Sequence, residues 1–218
     1  MNIKKLPYCI LGFLFLLLAA APADADEIVI DDFKDGLKKQ WRKKVFDGET
    51  DYFITVEDGR ECIKAVSEDA ASGLFYKIEF DPKQYPVISW SWKVENIIES
   101  GNALTREGDD YAARIYVVFP SVLFWRTKAI NYIWANKLKQ NTAVPNPFTE
   151  NDIMIAVESG PARVGQWVEE RHNIYEDFKK QFGFPPPKAG AIAIMTDTDN
   201  TGENATAYYG PIKLHSGN

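Results

Sequence analysis

Side-chain alternation with a period of two, broken at short intervals by turn formers, is the feature that most restricts the folds open to this chain. Runs of this kind cover Tyr52–Glu57, Cys62–Ser67, Gly73–Phe80, Val87–Asn96 and Asp110–Phe119, and then Ala129–Ala135, Asp152–Ser159, Gln166–Arg171, Ala191–Thr196 and Ala205–Leu214. Successive side chains of a strand point to opposite faces, so each run has one face to bury. Asp58-Gly59, Asp81-Pro82, Glu107-Gly108, Asn146-Pro147, Ser159-Gly160-Pro161 and Thr201-Gly202 supply the turns between them. About ten half-buried strands in one chain pack as two facing sheets, so the expected fold is all-β, a two-sheet β-sandwich of jelly-roll type.

One helix is expected near residues 173–182, where Ile174, Phe178 and Phe182 recur four apart. Acids fill its first half, lysines its second, and Gly183 stands where a left-handed C′ residue is needed. It should cover a sheet edge or the mouth of the sandwich. A weaker helical turn is expected near Ser121–Lys128.

The N-terminus reads as a leader. MNIKK precedes the apolar run Leu11–Ala21 and the small-residue pattern Ala23-Asp24-Ala25, so residues 1–25 are expected to be a signal peptide cut before Asp26. Residues 26–218 then form one domain of an exported protein, periplasmic or secreted. No later stretch is long and apolar enough for a spanning helix. Cleavage removes Lys4, Lys5 and Asp24, so Lys+Arg falls from 25 to 23, Asp+Glu from 31 to 30, and the net charge from −6 to −7. An acidic chain of this kind argues against nucleic acid as a partner, because phosphate binding rests on a basic face. Cys62 is the single cysteine after cleavage, which excludes an intrachain disulfide, and its alternating setting reads as a packing thiol. His172 and His215 are too few for an all-histidine metal centre.

Several phrases occur together: Trp90-Ser91-Trp92-Lys93-Val94, Gly108-Asp109-Asp110-Tyr111-Ala112-Ala113-Arg114, Tyr132-Ile133-Trp134, Trp167–Asn173 and Met195–Thr201. In this order they resemble the bacterial family known as domain of unknown function 3047, over nearly all of residues 28–214. The resemblance implies an exported bacterial protein, and it carries no catalytic residue with it. A weaker resemblance links Asp31-Asp32-Phe33 with Trp41, the Trp90/Trp92 strand and the closing Tyr209–Leu214 to jelly-roll carbohydrate-binding modules. Gly210-Pro211 stands where such modules usually carry acids, which departs from their terminal calcium ligand.

The candidate ligand-binding residues are Trp92, Asp109, Asp110, Arg114, Tyr116, Trp134 and Arg171. Ile88, Trp90, Trp92 and Val94 share a strand face, which serves either as a stacking platform for sugar rings or as sheet-to-sheet packing. Asp110, Ala112, Arg114 and Tyr116 share another, with Tyr111, Ala113 and Ile115 on the core side. A guanidinium out of water needs partners, and either Asp110 or the carboxylate of a ligand can supply them. Glu169 and Arg171 alternate with Glu170 and His172, a carboxylate–imidazole pair suited to acid–base work but lacking an evident nucleophile. Asp197 and Asp199 open a loop dense in oxygen ligands, and a structural calcium there is the one cofactor the sequence suggests. It is not an EF-hand, because Tyr208 stands where the bidentate glutamate belongs.

These features fit a non-catalytic binding protein with a cleft for a glycan or polar small molecule. They also leave open a carbohydrate-active hydrolase or lyase, in which Asp110 with Glu169 or Asp197 would straddle the scissile bond. An envelope module that binds another protein through the helix and an exposed aromatic patch is the third reading.

Overall fold

The computed structural model describes residues 26–217, so the leader expected over residues 1–25 lies outside the described residues. The fold is a two-sheet β-sandwich of jelly-roll type. The first sheet is centred on β6 (Val87–Val94). On one side β6 pairs with β11 (Val168–Asn173); on the other it pairs with β13 (Asn204–Tyr209) and then β14 (Ile212–His215). The sequence presented β13 and β14 as a single run. Pro211 cannot donate to a ladder, and the line breaks at Gly210-Pro211. Beyond β13 lie β4 (Arg60–Glu68) and β3 (Asp51–Glu57), and beyond β14 lies β1 (Glu27–Asp31). Asp58 and Gly59 both adopt positive φ in the two-residue β3–β4 turn, the geometry that matches strand twist.

The second sheet runs β2 (Trp41–Asp47), β5 (Ala71–Phe80), β12 (Ala189–Asp197), β7 (Tyr111–Phe119), β8 (Lys128–Ala135), β10 (Thr149–Ser159) and β9 (Ala143–Asn146). Only the β8–β10 pair within it is parallel. The sequence pattern missed β2 because all its residues after Trp41 are exposed, and an edge strand wet on both faces shows no alternation.

Aromatic side chains fill the space between the sheets. Trp90 packs edge-on against Trp92 at 5.3 Å and tilted against Tyr132 at 5.2 Å, while Trp92 meets Trp134 at 5.9 Å. At about 25 cal/mol per Å2, each buried tryptophan contributes roughly 4–6 kcal/mol of transfer free energy. This corrects two expectations: Trp92 is 0% exposed and Trp134 1% exposed, so both are core side chains and neither presents a ring to a ligand. Cys62 is also buried, and burial pushes its thiol pKa up to about 11.

The helix, α1 (Ile174–Phe182), starts where Asn173 accepts a hydrogen bond from the Glu176 amide and ends at Gly183 in the left-handed region. Ile174 and Phe178 enter the core, with Phe178 at 4.5 Å from Phe119, so α1 plugs one end of the sandwich beside β11. The weaker turn expected near Ser121–Lys128 is a short 3-10 turn over Phe124–Arg126.

Candidate functional site

A break in the β7 ladder builds the site. Arg114 lies opposite Met195 and Tyr111 opposite Asp197, so Ala112 and Ala113 together face Thr196 alone. This β-bulge resets the alternation. Ala112 and Ala113 both turn inward, and Tyr111 comes out onto the face of Arg114. The strict alternation expected for residues 110–116 is thereby corrected, because a period of two holds only while the ladder pairs one to one.

Arg114 is 3% exposed and sits at the centre of this outer face of the second sheet. Its Nε donates to Asp197 Oδ1 at 2.8 Å, and its Nη2 pairs with Asp197 Oδ2 and donates to the Asp109 carbonyl at 3.1 Å. Nη1 lies 3.7 Å from Asp109 Oδ2, and the Tyr111 ring stacks on the guanidinium at 4.6 Å. Burial opposes the charge, but Tyr116, Asp109 and Tyr111 around it hold the guanidinium pKa above its usual value. Asp109 shows the reverse balance: burial pushes its carboxyl up, while Arg114 and the Asn146 amide, which donates at 2.8 Å, pull it down. Of the two partners expected for the guanidinium, Asp110 or a ligand carboxylate, the structure shows an internal carboxylate, but it is Asp197, held bidentately, and not Asp110.

Asp110 is fully buried and accepts from the Thr201 amide at 2.7 Å and the Asn200 amide at 3.3 Å. It pins the 198–202 turn and does not line the cleft. One oxygen each of Asp110, Asp197 and Asp199 lies within 4.8 Å of the others. Asp197 and Asp199, the residues suggested as calcium ligands, thus come together with Asp110, and Asp199 is raised by burial and by the charge of Asp110. Arg114 already serves this cluster as its cation, and the oxygens of Asp110 and Asp197 are engaged. Asp199 is left as the freest donor, against the six to eight oxygens that calcium takes.

A cleft of about 350 Å3 opens over this cluster. Asp109, Arg114, Tyr116, Asp197 and Asp199 form its floor with Asn146, Asn200 and Met195. Phe46 from β2 and Phe148 from the β9–β10 turn stand at its sides, 52% and 54% exposed. Deeper on the same face, Asn131 Nδ2 donates to Asp152 Oδ2 at 3.3 Å. Burial raises the Asp152 carboxyl to about 7 against the opposing pull of Arg114. The Oδ1 atoms of Asp109, Asn131 and Asp152 are buried without a hydrogen-bond partner among the described residues.

Of the seven candidate ligand residues, Asp109, Arg114 and Tyr116 line one cleft, while Trp92, Asp110 and Trp134 are enclosed elsewhere. Arg171 is corrected as well, since it is exposed on β11 of the other sheet. The acid pairs expected of a hydrolase are not formed across an open cleft. Glu169 lies on β11 bonded to Arg60, and Asp110 and Asp197 are both buried and bonded within the cluster. Glu170 and His172 face inward, bonded at 2.9 Å, with His172 stacked on Tyr132 at 4.9 Å. Phe46, Asn146, Phe148 and Asp152 were not anticipated. A fully buried asparagine in the apolar β8 run, Asn131, was the one sequence signal for a polar cluster beneath this face.

A jelly-roll sandwich with a carboxylate-floored, phenylalanine-sided cleft on one sheet is the class that the fold and site define. The sequence matches the family described as protein of unknown function (DUF3047) over residues 39–213, and the chain belongs to that family. Among solved structures it is similar to the cellulose induced protein Cip1, with 10% identity and a TM-score of 0.48 over 85% of this chain and 95% of that one. It is also similar to a variant of a family 29 carbohydrate-binding module (10% identity, TM-score 0.43, 87% and 91% covered). The xylan-binding module CBM15 is a third (11% identity, TM-score 0.41, 88% and 97% covered). No curated protein matches the chain. Among the described residues no helix is long and apolar enough to cross a membrane.

Proposed function

We propose that this is an exported binding protein whose Arg114 cleft holds an uncharged glycan segment without turnover. The observation that carries the reading is the bidentate pairing of Arg114 Nε and Nη2 with Asp197, with Asp109 beside Nη1, beneath two half-exposed phenylalanine rings. With three lining carboxylates and one engaged guanidinium, the floor repels a sugar acid and offers acceptors to hydroxyl groups. Phe46 and Phe148 supply apolar faces for pyranose rings, and the volume suits a small ligand. The leader-like residues 1–25 support export.

The test is calorimetric titration of the chain from residue 26 with neutral cello-, xylo- and manno-oligosaccharides, alongside their oxidised acids. A neutral sugar should bind, its acid should not, and Phe46→Ala and Phe148→Ala should each weaken binding about tenfold, the equivalent of ~1.4 kcal/mol. Thermal unfolding with calcium and with EDTA distinguishes a metal requirement, and chromatography of the incubated sugar detects turnover. Preference for the acid, or affinity indifferent to both phenylalanines, would overturn the reading.

A further inference from the structure

The β7–β8 connection carries four consecutive apolar residues, Val122-Leu123-Phe124-Trp125, at the far end of the second sheet. Val122 is 104% exposed, Phe124 80% and Trp125 60%, and the two rings lie edge to face at 5.1 Å. This is a projecting tip and not a groove. Much of its backbone is internally satisfied. The Arg126 amide donates to the Leu123 carbonyl at 2.8 Å, the Thr127 amide to the Phe124 carbonyl at 3.0 Å, the Leu123 amide to Ser121 Oγ at 3.3 Å, and Asn151 to the Trp125 carbonyl at 3.0 Å. A loop folded on itself in this way is suited to leaving water, where an unsatisfied backbone group is costly.

The surroundings are basic in an acidic chain. A small cleft joins Arg126 and Lys128 to Phe184 at the end of α1, which also carries Lys179 and Lys180. Among the described residues Arg126, Lys179 and Lys180 make no ion pair. The nearby acids are Glu150 and Asp152, which flank Asn151, and Glu176 and Asp177 in the first turn of α1. Tryptophan and phenylalanine on a projecting turn, flanked by Arg126 and Lys128, match the interface of an anionic bilayer: rings at headgroup depth, cations against phosphate. A fluid surface also needs no cavity complementary to a convex tip.

We propose that the β7–β8 tip seats the protein peripherally on anionic phospholipid. The test is co-sedimentation of the chain from residue 26, which carries every element of the described fold, with vesicles of phosphatidylglycerol and phosphatidylcholine. It should bind these and ignore pure phosphatidylcholine vesicles, and raised salt should release it. Brominated lipid should quench a tryptophan signal that Trp125→Phe removes. The double substitution of Phe124→Ser with Trp125→Ser should lower partitioning at least tenfold with an unchanged melting temperature, and Arg126→Ser with Lys180→Ser should lower it on anionic vesicles. No binding by the unaltered chain, or binding indifferent to the tip substitutions, would overturn the proposal. So would a tip-dependent dimer in light scattering that ignores vesicles, which would assign the tip to a second copy of this chain.

Discussion

Replacing Arg114 by Met removes the cation from the polar cluster while keeping most of the packed stem. Two carboxylates then stay buried without their partner: Asp197, which pairs with Nε and Nη2, and Asp109, 3.7 Å from Nη1. Breaking a buried pair by removing one member costs about 3–5 kcal/mol. For a chain of this size each kcal/mol moves the midpoint about 2–4 °C, so Tm should fall by roughly 6–20 °C at neutral pH. The pH dependence follows from Asp109. Burial already holds its carboxyl above the ordinary value and Arg114 pulls it down, so the substitution lets it rise further. A carboxyl with a raised folded pKa binds more protons folded than unfolded, and stability is lost as pH rises through that interval. The deficit should therefore be smallest at acid pH, where the carboxyl is protonated in both chains, and should grow as pH rises above the ordinary carboxylate range, in urea unfolding of both chains. Adding Asp197→Asn should recover part of the loss, because the stranded charge goes with it. A deficit below about 1 kcal/mol at neutral pH, or one that ignores pH, would refute the view that Arg114 holds these acids together.

Asp152→Asn should flatten the decline in stability between the ordinary carboxylate range and about 7, because the raised Asp152 carboxyl is ionised at a cost over that interval. The gain above neutral pH should be at most about 4 kcal/mol, three pH units of linkage, measured by denaturant melts across pH. Trp92→Ala should cost about 3–5 kcal/mol in the same assay while leaving sugar affinity unchanged, since the ring lies between the sheets. Gly108→Ala would place a Cβ 2.6 Å from the Asn102 amide nitrogen, and the backbone must shift beside Asp109. A loss of about 1–3 kcal/mol with weaker sugar binding is expected, and a full-affinity, full-stability variant would show that this turn does not position Asp109.

Strands with one wet and one dry face were legible as strands, and so was the helix, whose Asn173, Ile174, Phe178 and Gly183 serve as N-cap, core anchors and C′ residue. Local chemistry dictates these, since alternation, capping and turn geometry act over a few residues. Edge strands such as β2 escaped, because solvent on both faces removes the pattern. The tryptophans of β6 could be either platform or packing until a second sheet lay over them.

From sequence alone came an all-β sandwich, its helix, its family and the residue types of a polar cluster around Arg114. The tertiary structure decided which partners they have. A two-for-one bulge at Ala112-Ala113 brought Tyr111 beneath Arg114, the return of β12 delivered Asp197 to its Nε and Nη2, and β2 and the β9–β10 turn supplied Phe46 and Phe148 as walls. Such contacts join residues far apart in the chain, and their register depends on how two sheets fill one core. No local pattern encodes that choice.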